Sequence, residues 1–355
     1  MLIILLSLGA ALVNATAQSH ISAYVTNVSG TVSVIDTATD TVVATIPVGI
    51  FPSGVAITPD GTRVYVTNIF NSISVINAAT NTVVETIPSG QFPTGIAITP
   101  DGTRAYVVNQ FVTKGNNTVS VIDTMTNAIV ATISVGLGPS QIAITPDGTR
   151  AYVPDQQDSI ISVIDTGTNS VVDTVPVRGT AGIAITPDGT RAYVTSPGGG
   201  AVSVIDTATN TVAATISLGT NQNPFGVAIT PDGTRAYVTI SFPNDSISVM
   251  NTATNTLVAT IPVGVAPDGI AITPDGARAY VTNDGSDTVS VIDTTTNIVI
   301  GTIPVGVGPV AVAITPMPKS PTKKEQCKHH GYLVFGPPAG PFKNQGQCVS
   351  YVEQH

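Results

Sequence analysis

Carboxylates are the only abundant groups in the body of this chain that can move a proton or hold a cation. Asp155 and Asp158 bracket "DQQD", Asp268 follows Pro267, and Asp284 and Asp287 flank "GS" in "NDGSD" (283–287). Two carboxylates with intervening carbonyls at that last spacing suit a calcium ion, but they suit an ordinary polar turn better, so no metal or cofactor is assigned. Histidine is absent between residues 21 and 328. That removes the usual general base, a haem axial ligand and any Ser–His–Asp set from the region. No catalytic residue is assigned, and the one enzymatic alternative is a carboxylate- or calcium-dependent hydrolase of the lactonase type.

A second set of residues suits contact rather than chemistry. Phe111, Phe225 and Phe242 lie among Asn and Gln, with Asn223 two residues before Phe225, and Phe51 and Phe92 are expected to enter strands close to a central axis. Aromatic faces beside amides make a contact surface for a sugar or a peptide.

These residues sit in gaps between copies of one string. Tyr24, Tyr65, Tyr106, Tyr152, Tyr193, Tyr237 and Tyr280 each stand in an A/V-Y-V context, and successive arginines from Arg63 to Arg278 are 41, 46, 41, 44 and 43 residues apart. That period is the length of one four-stranded propeller blade. In the second copy, 53–59, 63–68, 72–77 and 82–88 read as strands of β-branched alternation, with Asp60-Gly61 turning the first hairpin. The chain starts on a "YVTN" strand and ends its repeats on an unpartnered "VAITP" (312–316), so the last strand is expected to complete the first sheet. The fold class is therefore all-β, a seven-bladed propeller over 21–318. Repeated Asp60 and Arg63 equivalents are expected to make structural hydrogen bonds or ion pairs.

The strings "YVTN" and "ITPDGTRAYVTN" resemble the YVTN-type β-propeller repeat family of surface-layer and other exported microbial proteins, over residues 21–318. The resemblance implies the propeller and an exported location, and implies little about chemistry. The tail "KEQCKHHGYLVFGPPAGPFKNQGQCVSYV" is similar to a short Cys-paired segment at the C-termini of secreted bacterial proteins.

The chain ends support export. Residues 1–17 have an apolar stretch followed by Ala15-Thr16-Ala17, a signal-peptide pattern without a charged start. Cys327 and Cys348, in the tail 319–355, are the only cysteines, and pairing them would close a loop of about 20 residues for about 3 kcal/mol. A zinc site with His329 and His330 does not fit a recognised spacing. The N-x-S/T strings at Asn27, Asn116 and Asn244 permit glycosylation.

Net charge is −9, divided as −12 over 21–318 and +3 over the tail. An acidic body repels a phosphate backbone, so nucleic acid is not an expected partner. No apolar run after the leader could span a bilayer. Insertions fall only in the loops at one end of the ring: 109–118, 219–226 and 240–246. The turns at the other end keep their length. Uniform turns opposite variable loops describe a monomeric, secreted or cell-surface scaffold that binds an extracellular glycan or protein without catalysis.

Overall fold

The computed structural model describes residues 21–110 and 117–317. The leader, Phe111, Asn116 and the tail with Cys327 and Cys348 lie outside the described residues.

Seven four-stranded antiparallel sheets form the ring. In the second blade the strands are Pro52–Ile57, Arg63–Asn68, Ser72–Asn77 and Thr82–Pro88, from the axis outward. The second and third strands are buried on both faces, because each blade is covered by a neighbour on either side. This explains their continuous Val, Ile, Ala and Tyr content where a one-sided sheet would alternate. The outer strand meets solvent and tolerates Thr, Glu and exposed Val.

Apolar clusters straddle neighbouring blades instead of filling single ones. Val25 and Ile35 of the first blade pack with Tyr280, Val289 and Val291 of the seventh. Burial of each such side chain stabilises the ring by about 1.5–3 kcal/mol. A blade lifted out would expose both of its faces, so the sheets are stable only together.

The closing strand is where the sequence puts it. Pro309–Ile314 pairs antiparallel with Ser22–Asn27 in the register Ala23↔Ile314, Tyr24↔Ala313 and Val25↔Val312. Thr315 extends the seam: Ser22 N donates to its Oγ1 at 2.9 Å, and its own amide donates to Ser22 O at 2.9 Å.

The repeated tyrosine clasps each blade to the next. Its hydroxyl donates to the last residue of the following blade's third-to-fourth turn. The pairs are Tyr24 to Asn81, Tyr65 to Asn127, Tyr106 to Asn169 and Tyr152 to Asn210, then Tyr193 to Asn255, Tyr237 to Asn297 and Tyr280 to Asp40, at 2.5–3.0 Å. Every acceptor has φ between +52° and +56°. Asn and Asp tolerate that left-handed conformation, and their short side chains then reach the neighbouring tyrosine. Burial pushes the Tyr24 hydroxyl up to about 12, so it stays a donor at any physiological pH.

Asp60 and Arg63 do bond repeatedly, though not to each other. Asp60 Oδ1 accepts from Thr58 Oγ1 (2.5 Å) and Thr62 N (3.0 Å), shaping the turn, while Arg63 reaches the next blade at Thr124 O (2.6 Å). At the equivalent Asp101 the Thr99 hydroxyl and the Thr103 amide hold the carboxyl below its ordinary range.

Candidate functional site: the variable-loop face and channel mouth

Each inner strand opens with Pro-x-Gly or a variant of it, and these residues surround the axis at the variable-loop end. The glycine is sterically required. A Cβ on Gly54 would lie 2.3 Å from the Thr94 carbonyl oxygen, and one on Gly226 would lie 2.3 Å from that of Asp268. The missing side chain lets adjacent inner strands touch backbone to backbone.

The carbonyl just before that glycine position accepts a hydroxyl in all seven blades. In five cases the donor is the threonine of a "YVTN"-type strand: Thr26 to Ser53, Thr67 to Thr94, Thr195 to Phe225, Thr239 to Asp268 and Thr282 to Val310, at 2.6–2.8 Å. The third and fourth blades carry Val108 and Pro154 instead. There Thr94 and Ser140 donate from the inner strands themselves, to Ser140 O (3.0 Å) and Ala181 O (2.9 Å). The girdle of hydroxyls is thus complete although the repeat is not.

Inside the girdle lies a channel cavity of ≈ 260 Å³, just below the range of whole-ligand pockets. Ser53, Ser140, Gln141 and Gln156 make its wall polar, and Phe225 adds an aromatic face. Asp268 is the only charged residue lining it among the described residues. Its carboxylate keeps some surface open to the channel, yet burial in the wall, with the Asp284 charge nearby, pushes it up to about 7.

Around the mouth the aromatics are outside. Phe51, Phe70, Phe92, Phe225 and Phe242 are all exposed, from 36% (Phe225) to 63% (Phe242). The seven blade tyrosines are fully buried. Phe51 and Phe70 stack with ring centroids 5.9 Å apart. The sequence predicts that Phe51 and Phe92 enter the inner strands, but these strands begin one residue later, at Pro52 and Pro93. The two phenylalanines lie in the interblade loops, at φ +51° and +49°, where other blades place Gly138 (+68°) and Gly308 (+64°). Holding a non-glycine residue there costs roughly 1–2 kcal/mol. Phe70 was missed by sequence reasoning because its loop, 69–71, carries no insertion to mark it.

The carboxylates separate into different environments. Asp155 is not on the surface at all: it is fully buried, with Oδ2 accepting from Ser162 Oγ at 2.6 Å. It occupies the position of Asn27, Asn68, Asn109 and Asn283, which bond the equivalent serines through Nδ2. Burial pushes its carboxyl up to about 6 despite the Ser162 hydrogen bond. Asn27 is buried in the same way, which removes it as a glycosylation acceptor, whereas Asn244 is exposed. Asp158 is exposed and caps Leu137 N at 2.8 Å; Asn223 bonds Ser241 Oγ at 3.3 Å; Asp284 is exposed in a short helical turn. Of the residues singled out in the sequence, Phe225 and Asp268 both line the channel, Phe51 stacks on Phe70 at the rim, and Phe92 takes the position equivalent to Phe51 one blade on. In the "NDGSD" turn Ser286 accepts Val265 N (3.0 Å) and Asp287 accepts Gly308 N (2.8 Å), so these groups tie loops together.

The family model of the choice-of-anchor I domain matches residues 10–179. That span holds the first blade's own three strands and all of blades two to four. No curated protein sequence matches the chain. Among solved structures, hydrazine synthase from Kuenenia stuttgartiensis is similar at 26% identity, over 76% of this chain and 92% of that one, with a TM-score of 0.71. A functionally unknown protein from Desulfotomaculum acetoxidans is similar at 19% identity, over 83% and 99%, with a TM-score of 0.71. A Bacteroides uniformis protein provisionally described as a 6-phosphogluconolactonase is similar at 18% identity, over 84% and 100%, with a TM-score of 0.69. The last two show the fold alone. No helix among the described residues is long and apolar enough to cross a membrane.

Proposed function

We propose that this is an exported, non-catalytic binding scaffold of the YVTN-repeat kind, which recognises an extracellular glycan or protein through its variable-loop face. The choice-of-anchor match supports the location. The observation that carries the binding role is the reversal of aromatic placement: tyrosines are buried and all five described phenylalanines are exposed at one end. Exposed aromatics held on a rigid rim, two of them on strained backbone, favour contact with a partner.

A hydrolase or lactonase reading draws on Asp268 alone. No second acid or base lines the channel among the described residues, so a proton shuttle would lack its other half.

The test is a glycan and extracellular-protein array probed with the full chain and with Phe51→Ala/Phe70→Ala/Phe92→Ala. Binding that falls about ten-fold or more in the variant, at an unchanged thermal midpoint, supports the reading. A ligand bound equally by both overturns it.

A further inference from the structure

Asp268 is a carboxyl group with no cationic partner among the described residues. No hydrogen bond or ion pair reaches its carboxylate among the described residues, and no Lys, Arg or His lines the channel with it. Burying an unpaired charge is unfavourable, and such groups are ordinarily paired. The neighbouring position on the ring, one blade back, is Phe225, whose exposed face borders the same cavity. A carboxylate beside an aromatic face at the end of a narrow cavity is complementary to a cation carried on an apolar stem. The cavity's ≈ 260 Å³ suits one side chain better than a whole ligand, and the −12 charge of the body attracts cations toward it.

We infer that the channel mouth binds a protonated primary amine on an alkyl stem, the chemistry of a partner protein's lysine side chain, with the ammonium on Asp268 and the stem against Phe225. This deepens the proposed function by narrowing its partner to a protein and by rooting recognition at the axis as well as at the rim. Gln141 and Gln156, which line the cavity, have side-chain carbonyls that accept from an ammonium. Among the described residues the only other titratable group acting on Asp268 is Asp284, which is also acidic. Affinity therefore rises with pH as Asp268 ionises, while the amine stays protonated.

The experiment titrates the full chain with Nα-acetyl-lysinamide and with its uncharged counterpart Nα-acetyl-norleucinamide, by calorimetry at pH 5.5 and pH 8. The expected result is lysinamide binding that is tighter at pH 8. It should be about ten-fold weaker or worse for norleucinamide and for Asp268→Asn. Asp268→Asn removes an unpaired charge and so folds at least as stably, and Phe225→Leu tests the stem contact separately. Equal binding of the two amides, retained binding in Asp268→Asn, or no lysinamide binding at either pH overturns the inference. The Phe51, Phe70 and Phe92 triple variant leaves lysinamide binding intact. An amine site that stands while the rim variant still binds its array ligand therefore refutes the rim and spares the channel.

Discussion

Tyr280 donates its hydroxyl to Asp40 Oδ1 across 2.5 Å, and Arg278 donates to the other carboxylate oxygen at 2.9 Å. The other six clasps use an uncharged asparagine. A charged acceptor therefore stands only at the joint between the seventh blade and the first, the sheet assembled from strands at both ends of the repeat region. Burial and the Asp40 carboxylate together raise the Tyr280 hydroxyl, keeping it a donor.

That joint should be sensitive to the acceptor and less so to its charge. Asp40→Asn keeps the left-handed backbone and the tyrosine bond, and should cost no more than about 1 kcal/mol for the partly exposed ion pair. Asp40→Ala leaves Arg278 its bond to Thr37 O (2.9 Å) and Tyr280 only a long one to the same oxygen (3.5 Å), and it places alanine at a φ of +54°, for about 1–3 kcal/mol. Thermal midpoints of the two variants check this. Equal midpoints would show that the clasp does not hold the seam.

The hydroxyl girdle predicts a rescue. Thr94→Val removes one of the two donors to the Ser140 carbonyl, leaving the Gly95 amide at 3.1 Å, and should cost about 1 kcal/mol. Adding Val108→Thr restores a donor at the position used by Thr26 and Thr67, and the double variant should recover most of the loss. A chemical denaturation cycle measures the coupling; strictly additive effects would remove the idea that one hydroxyl substitutes for the other.

Asp155 predicts a pH-dependent gain. An unfolded aspartate ionises near 4, whereas the native group ionises at about 6. The native state therefore holds the proton more tightly, and this stabilisation, full below pH 4, is lost as pH rises through 6. Asp155→Asn supplies the amide found in blades one, two, three and seven. It should change little at pH 4 and stabilise by about 2–3 kcal/mol at pH 8. Melting both proteins across that range is the measurement, and a pH-independent difference would count against a buried ionised carboxylate.

The blades, their order and the closing strand were legible because β-branched runs and Asp-Gly turns are local signals, and they recur with a fixed period. The clasps were not legible, since Tyr65 and Asn127 meet across 62 residues and nothing near Tyr65 names its acceptor. Read by itself, "DQQD" groups Asp155 with the carboxylates of the variable-loop face. Aligning "YVPD" on "YVTN" would have put it at a buried asparagine position. Phe225 and Asp268 follow the prolines that open the inner strands of consecutive blades, and only the side-by-side packing of those strands makes them neighbours.

The seam also sets a timetable for the chain. Ser22 finds its partner at Thr315, 293 residues later, so a ribosome must release that whole span before the first sheet has its innermost strand. Until then Ser22–Asn27 presents an open edge, and nascent blades behind it can stack only into an arc. Completion of the torus waits for its last strand, and whatever binds at the axis meets a finished site only after that strand is in place.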